Sequence, residues 1–306
     1  MLTRSLTTAL AVLTVAGPLE GQTTMARPHL LDTLELPVRY ERVLGHRLAY
    51  YETGVGAGPV VFLIPSLGWD AHAWAQNMAV FARTYRVIVI DPLGTGRSDK
   101  PLIDYKMNTW TEGFAEFMRL KQIDRAAFVG AVMGGALAVQ MALDHPQRVS
   151  AIVVAASNSG PGAHQGPVRI PAGGQGVAGV RANLLGAFDD STLVTDSVVA
   201  ERFARRQRAG DEHTIRSHLA DHRPRYTEAE LSRIAVPALF VWCREDQITP
   251  LSWGEDFARP LPAGKLAVIE RCGHYPNVEQ PVAFNRAVSE FLAAALGRLD
   301  STRRAP

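Results

Sequence analysis

The stretch FVGAVMGGALAVQMALDHPQRV, residues 128–149, decides the fold of this chain. It opens as a short apolar run typical of a buried strand and continues from Met133 with apolar residues at helical spacing. Gly130 and Gly134 stand on either side of Val132, and glycine permits backbone conformations and close approaches that larger residues do not. The pattern therefore predicts a sharp turn from strand to helix, with the Val132 side chain at its apex.

Short apolar runs alternate with longer segments of helical period on both sides of this turn. Continuous apolar strands of this kind are buried on both faces, which is typical of a mostly parallel sheet covered by helices. The predicted strands lie at 60–64, 87–90, 126–130, 151–156, 238–242 and 266–270, with a hairpin over 38–52 at the sheet edge. The predicted helices lie at 71–82, 110–120, 134–143 and 282–296. The fold class is therefore α/β.

The alternation stops between residues 157 and 234. The first part of this stretch is rich in glycine and proline, and the second part, 196–220, has the pattern of a polar amphipathic helix. A long insertion at this place in an α/β chain is typical of an active-site lid. We expect one core formed by residues 29–156 and 235–306, with 157–234 as the lid insertion.

The charge of the chain argues against nucleic acid as a partner. The formal net charge is +2, and no run of Lys and Arg exceeds two residues, so the chain lacks the basic patch that nucleic acids require. No apolar run approaches the roughly 18 residues that a membrane span needs. We therefore expect neither a nucleic-acid partner nor a membrane span.

Residues 1–28 have the features of a signal peptide or a disordered tail. Arg4 near the start, an apolar stretch at 9–16 and a Gly17-Pro18 break fit the regions of a signal peptide, although no small-residue cleavage site follows. Export would place the protein in the periplasm or the medium. The alternative is translation from Met25 and a cytoplasmic protein.

Three further motifs accompany the predicted turn. They are DPLGTGRSD at 91–99, CREDQITP at 243–250 and CGHYPNVEQP at 272–281. Together with the turn, in this order, they resemble the α/β-hydrolase superfamily, and the resemblance covers residues 37–296. It implies a mostly parallel eight-stranded sheet, with Asp246 as the acid and His274 as the base of a catalytic triad. The family's nucleophilic serine would stand where this chain has Val132.

The resemblance also implies an oxyanion pocket. The loop after the first buried strand reads Pro65-Ser66-Leu67-Gly68, where the family usually has His-Gly. By position, the backbone N–H groups of Leu67 and Met133 would be the two donors, and backbone donors do not depend on side-chain identity. An oxyanion pocket is therefore expected although the serine is missing.

Residues 191–206 and the ending after His274 resemble the branch of meta-cleavage C–C hydrolases and related esterases. The resemblance implies a lidded pocket for a small carbonyl-bearing molecule and no cofactor. The leading hypothesis is an enzyme, a hydrolase or lyase, in which Asp246 orients His274 as general base without a covalent acyl intermediate. Two alternatives are a catalytically inactive pseudo-hydrolase that binds a small molecule or a partner, and a nucleophile-replaced variant of an ordinary serine hydrolase.

Three further residues are candidates for the pocket. The loop of Ser66 faces the elbow in this fold, so its hydroxyl is a candidate replacement nucleophile, although a turn serine commonly bonds its own backbone. Trp74 is expected in the core or in the pocket wall, and Tyr275 stands beside His274. His72 is expected either as a solvated residue at a helix start or as a substrate contact.

The spacing of two histidines and of two cysteines bears on a metal site and on a disulfide. His218 and His222 are four residues apart on a predicted helix, but no third ligand stands at a matching spacing, so no metal is predicted. Cys243 and Cys272 each follow a predicted strand, and these strands are neighbours in this fold, so the two side chains are expected to lie close together. We expect packed free thiols, or a disulfide if the protein is exported.

Overall fold

The computed structural model describes residues 11–15, 34–161, 176–208, 210–221 and 225–303. A nine-stranded sheet forms its centre, in the order β1-β9-β8-β7-β6-β4-β5-β3-β2. The strands are β1 Ala11–Val15, β2 Arg39–Val43, β3 His46–Gly54, β4 Val60–Ile64, β5 Arg86–Ile90, β6 Ala126–Ala131, β7 Val149–Ala155, β8 Ala238–Cys243 and β9 Gly264–Ile269. Every pair is parallel except those made by β3, which is antiparallel to both of its neighbours. The predicted α/β-hydrolase fold is confirmed, with strands β2 to β9 as the predicted eight-stranded sheet.

Strand β1 is an addition to the predicted sheet. We expected residues 1–28 to lie outside the fold, but Ala11–Val15 pairs in parallel with β9 at the open edge of the sheet. An apolar run that contains valine and threonine fits an exposed strand edge, because β-branched residues favour extended backbone. The expectation is therefore wrong for these five residues, and export of the chain stays a prediction.

Helices cover both faces of the sheet, as the continuously buried strands predict. The core helices are α1 Ala75–Phe81, α2 Met107–Leu120, α3 Met133–Asp144, α8 Leu251–Ala258, α9 Pro276–Glu279 and α10 Pro281–Arg303. Helices α2, α3 and α8 pack on one face, in a cluster that contains Phe114, Leu137 and Phe257. Helices α1 and α10 pack on the other face around Phe81 and Phe284.

In the described part of the chain, four α-helices stand between β7 and β8. They are α4 Val177–Ala187, α5 Asp196–Arg206, α6 Asp211–Asp221 and α7 Glu228–Leu231. We predicted one amphipathic helix over 196–220, but the chain forms two, because Gly210 adopts a φ of +91° that a helix does not permit. Part of the predicted glycine-rich start of the insertion, residues 162–175, lies outside the described residues. Within those residues, no helix combines the length and apolarity needed to cross a membrane.

Candidate active site

A sharp turn joins β6 to α3, as the glycine pattern predicts. Val132 occupies its apex with φ +52° and ψ −107°, and its N–H donates to the carbonyl of Ala155 at 2.8 Å. A Cβ on Gly130 would lie 2.0 Å from the carbonyl carbon of Gly134, and a Cβ on Gly134 would lie 2.2 Å from the carbonyl oxygen of Ile64. Both glycines are therefore required by close backbone contacts at this turn.

The apex residue combines unfavourable backbone geometry with an unreactive side chain. A positive φ is a genuine outlier for a β-branched residue and costs roughly 1–3 kcal/mol. Such strain persists only where the surroundings enforce it, and it concentrates at functional sites. Valine has no hydroxyl, so the Val132 side chain cannot form an acyl-enzyme.

Asp246 and His274 meet in the loops that follow β8 and β9. His274 Nδ1 lies 2.9 Å from Asp246 Oδ2, and both residues are buried. The N–H groups of Ile248 and Thr249 donate to Asp246 Oδ1 at 2.8 and 2.9 Å, and the Thr249 hydroxyl donates to Oδ2 at 2.6 Å. An Nδ1–H donated to the carboxylate leaves the Nε2 lone pair of His274 free to accept a proton.

The carboxyl group of Asp246 is held in its charged form. Burial alone would raise its pKa, but the charge of His274 and the hydrogen bonds from His274 and Thr249 outweigh burial and lower the pKa below its ordinary value. An ionised Asp246 orients the imidazole and stabilises the imidazolium that forms when His274 takes a proton.

The loop after β4 forms a tight turn against the start of α3. The Trp69 N–H donates to the Ser66 carbonyl at 3.0 Å, and Gly68 has a φ of +74°, which is the glycine position of a type II turn. A Cβ on Gly134 would lie 2.9 Å from the Pro65 carbonyl oxygen, so this loop and the elbow are in contact. Among the described residues, neither the Leu67 N–H nor the Met133 N–H has a hydrogen-bond partner.

The candidate pocket residues occupy different places in the structure. Trp74 is fully buried in the core cluster of α1 and α10, with its ring 5.9 Å from that of Phe284, so it belongs to the core. Tyr275 lies beside the dyad, with its ring 5.0 Å from the His274 ring. Ser66 is buried, and its hydroxyl lies 3.5 Å from the Leu67 carbonyl oxygen. His72 is only slightly exposed and lies 3.2 Å from Asp70.

Sequence reasoning missed two residues of this region. Trp69 packs against Tyr275, with ring centroids 4.9 Å apart. The Arg202 guanidinium lies 3.6 Å above the Trp69 ring and donates to the Gly68 carbonyl at 2.6 Å. Arg202 shares the buried side of α5 with Val198 and Val199, so a charged residue in an apolar stripe is the signal that could have revealed it.

Cys243 and Cys272 form a disulfide with a Cα–Cα distance of 5.3 Å. The predicted proximity is confirmed, and the expectation of free thiols is wrong. Cys243 ends β8 opposite Ile269 of β9, and the chain beyond β9 brings Cys272 back to this end of β8. The bridge thus joins the acid loop to the histidine loop, three residues before Asp246 and two before His274.

Among the described residues, no group of three or more His, Cys, Asp or Glu side chains could hold a metal ion. His218 is buried on α6, with its ring 5.2 Å from that of Trp110. His222 lies outside the described residues.

Comparisons with known proteins agree with this geometry. Residues 59–170 match the family model of the α/β hydrolase fold. The chain is 31% identical over 268 residues to the 2-hydroxy-6-oxononadienedioate/2-hydroxy-6-oxononatrienedioate hydrolase of Burkholderia vietnamiensis (strain G4 / LMG 22486), which covers 80% of this chain and 91% of the relative. The chain belongs to the α/β-hydrolase fold family.

Two further similarities place this α/β-hydrolase-fold protein near the same branch. It is 29% identical over 257 residues to the 2-hydroxy-6-oxo-2,4-heptadienoate hydrolase of Pseudomonas putida, covering 78% of this chain and 91% of that relative. The crystal structure of a point mutant of a meta-cleavage product hydrolase superposes with a TM-score of 0.77 at 26% identity, covering 84% of this chain and 98% of that one. The relatives of this chain are thus hydrolases that act on small molecules.

Proposed function

We propose that this protein is an enzyme that hydrolyses or cleaves a small carbonyl-containing molecule without a serine nucleophile. The observation that supports the proposal most is the assembled His274–Asp246 pair in the presence of an apolar elbow apex. A buried, fully hydrogen-bonded carboxylate beside an imidazole is what general-base catalysis needs. The printed activities of the relatives favour a 2-hydroxy-6-oxo-dienoate or a similar compound as the substrate class.

The proposed reaction begins with water. His274 Nε2 takes one proton from a water molecule while the water oxygen attacks the substrate carbonyl carbon. The oxygen of that carbonyl becomes an oxyanion, which accepts hydrogen bonds from the Leu67 and Met133 N–H groups. When this intermediate collapses, the bond to the leaving group breaks, and the imidazolium returns its proton to the leaving carbon or oxygen. The carbonyl carbon ends as a carboxylic acid.

The general base and the oxyanion donors are together sufficient for appreciable catalysis. A positioned general base contributes typically 10²–10⁴-fold, and one oxyanion donor contributes about 10²–10³-fold. The route forgoes the covalent step, which Val132 cannot perform. We therefore expect turnover without accumulation of an acyl-enzyme.

The inserted helices are proposed to form a lid over this site. Trp69 and Tyr275 of the core belong to one apolar cluster with α4 and α5, which includes Val180, Leu184 and Val199. Tyr275, whose ring lies 5.0 Å from the His274 ring, packs against this cluster. A water-poor site strengthens the electrostatic contacts that the mechanism uses.

An exported location is also proposed. A disulfide between buried cysteines persists in oxidising compartments and is rare in the cytosol, so the bridge between Cys243 and Cys272 supports export. Fractionation of cells that express the full chain, with mass analysis of its N-terminus, checks this. A cytosolic protein with an intact N-terminus would contradict it.

The decisive experiment measures turnover and covalent labelling together. The native protein and His274→Ala are incubated with 2-hydroxy-6-oxo-2,4-heptadienoate and with a panel of small esters and lactones, and intact mass is recorded during turnover. Product formation that is lost in His274→Ala, with no mass adduct, supports the proposal. Tight binding of these compounds with no product in any case would instead favour the pseudo-hydrolase, and a mass adduct would contradict the non-covalent route.

A further inference from the structure

Glu279 is a buried carboxyl group that the proposed reaction does not use. It ends α9, five residues after His274, and only 5% of its surface is exposed. One of its oxygens accepts the Gly273 N–H at 2.7 Å. The other accepts the N–H groups of Asp189 and Asp190 at 2.8 and 3.4 Å. One side chain thus holds backbone donors from two segments that are about 80 residues apart.

The two segments held by Glu279 also touch each other directly. The His274 N–H donates to the Ala187 carbonyl at 2.6 Å. A Cβ on Gly273 would lie 2.3 Å from the Ala187 carbonyl oxygen and 2.9 Å from the Asp189 nitrogen. The backbone that follows α4 therefore lies against the histidine loop, and only glycine fits at position 273.

These contacts fix the position of the backbone that carries His274, the proposed general base. The Gly273 N–H is buried and would lose its acceptor if the Glu279 carboxyl were removed, which is costly. The tie to the partly exposed backbone N–H of Asp189 would be lost with it. No other side-chain acceptor for the Gly273 or Asp189 N–H is found in the described residues. The chain beside the imidazole thus depends on one carboxyl group that lies outside the dyad.

We propose that Glu279 is the positioning residue of His274, which it controls by clamping residues 187–190 of the inserted segment onto the histidine loop. The end of α4 and the general base then move as one unit. Any opening of the insertion takes place at α5 and α6. This inference rests on the proposed role of His274 as the base.

The test measures the proton between His274 and Asp246 directly. A proton shared between His274 Nδ1 and Asp246 gives a far-downfield proton resonance, whose exchange with water is measured by NMR at low temperature. Loss of the clamp in Glu279→Ala should accelerate that exchange roughly 10-fold, since the loss of a buried hydrogen bond is worth about that factor. Glu270→Gln is the matched control, because Glu270 follows β9 on the way to the histidine loop but pairs with Arg244 at the surface.

A second variant distinguishes loss of the clamp from loss of the fold. Glu279→Gln keeps the volume and one acceptor oxygen but replaces the other oxygen by an amide nitrogen that cannot accept. It should fold, as judged by circular dichroism, and should give an intermediate exchange rate. Where a substrate is turned over, both variants should lower kcat by roughly 10-fold and change KM by less than about twofold, because the clamp orients the base and does not contact the ligand.

The outcomes are distinct. An unchanged imidazole exchange rate in both Glu279 variants, together with faster exchange of the amides at 187–190, would overturn the positioning role and leave Glu279 as a structural clamp only. The absence of the resonance in the native protein would also overturn it. If the resonance depends on Glu279 while no compound is turned over, the inference stands and the proposed function fails.

Discussion

The carboxyl end of the sheet and the inserted helices are held by different forces. At the sheet end, backbone contacts, hydrogen bonds and a disulfide fix Val132, Asp246 and His274. The insertion is held by apolar packing against Trp69 and also by ion pairs, in which Arg205 and Arg208 contact the two oxygens of Asp70 at 2.5 and 2.9 Å. The contrast indicates that backbone geometry fixes the candidate site, whereas ion pairs contribute to the attachment of the inserted helices.

The largest expected effect is at the elbow. Native hydrolysis of p-nitrophenyl acetate should be near the background rate, and Val132→Ser should raise it by at least roughly 100-fold if the dyad is ready to activate a hydroxyl. Val132→Ala, which also shortens the side chain but adds no hydroxyl, should not respond. A burst of nitrophenol from the native protein would contradict the serine-less mechanism, and a silent Val132→Ser would contradict a pre-assembled dyad.

The second effect concerns the ionic attachment of the insertion. Asp70→Asn leaves two arginines without their buried partner, so the free energy of unfolding should fall by about 3–5 kcal/mol. Amide exchange of α5 should accelerate more than that of β6. Glu212→Gln removes an exposed pair with Arg216 and should cost no more than about 0.5 kcal/mol. Equal protection of α5 in Asp70→Asn and native protein would show that apolar packing alone holds the insertion.

The same attachment should survive across neutral pH. Burial acts to raise the pKa of Asp70, but the hydrogen bond with His72 and the charge of Arg205 lower it well below its usual range. A carboxyl group with a lowered folded pKa stabilises the fold above its unfolded pKa, and this stabilisation is lost as the pH falls through the folded value. The attachment is therefore lost only in strong acid.

The core site could be predicted from sequence because its geometry is a matter of backbone and loop order. Gly130 and Gly134 are needed by close contacts that recur wherever this turn is built, and parallel neighbours β8 and β9 must carry Asp246 and His274 to one edge. No pattern of this kind distinguishes Trp69 from Trp74. Both lie in one short segment, and only tertiary packing places Trp74 in the core and Trp69 against Tyr275.

The insertion was less predictable because its structure depends on tertiary contacts rather than on a local sequence pattern. A single glycine at position 210 divides the predicted helix into two. Glu279 likewise has no local signature, because its three donors come from two distant segments. Contacts that join remote pieces of chain cannot be derived from periodicity alone.

The third effect is that of the disulfide. The bridge closes a loop with a sequence separation of 29, so its loss should lower the free energy of unfolding by about 3–4 kcal/mol. Reduced protein and Cys243→Ala/Cys272→Ala should show the same loss, and the exchange of amides near Asp246 and His274 should accelerate before that of α5. Two free thiols in denatured, unreduced protein would rule the bridge out.

The fourth effect is a pH dependence of the free energy of unfolding that arises at Glu279, which contacts both the insertion and the histidine loop. Burial raises the pKa of Glu279 to about 7, although the N–H groups of Gly273, Asp189 and Asp190 oppose the shift. The native state then keeps a proton that the unfolded chain releases above its ordinary pKa, so stability is fully present at low pH and is lost as the pH rises through about 7. The difference amounts to about 3 kcal/mol.

This dependence is measured as the free energy of unfolding at pH 5 and pH 8, in urea. Glu279→Gln should flatten the difference between the two values relative to native protein, and Glu270→Gln should retain it. Parallel pH profiles for native protein and Glu279→Gln would show that Glu279 is ionised throughout this range.

The smallest effect compares one substitution in the two regions. Val132 has a strained positive φ, whereas Val199 is fully buried in the middle of α5. Val132→Gly relieves the strain but increases the entropy of the unfolded chain, so the free energy of unfolding should rise by about 1 kcal/mol. Val199→Gly loses buried surface and puts glycine in a helix, so it should fall by about 2–4 kcal/mol. Urea denaturation of both variants gives the two signs, and a loss at position 132 as large as at position 199 would show that the elbow stores no strain.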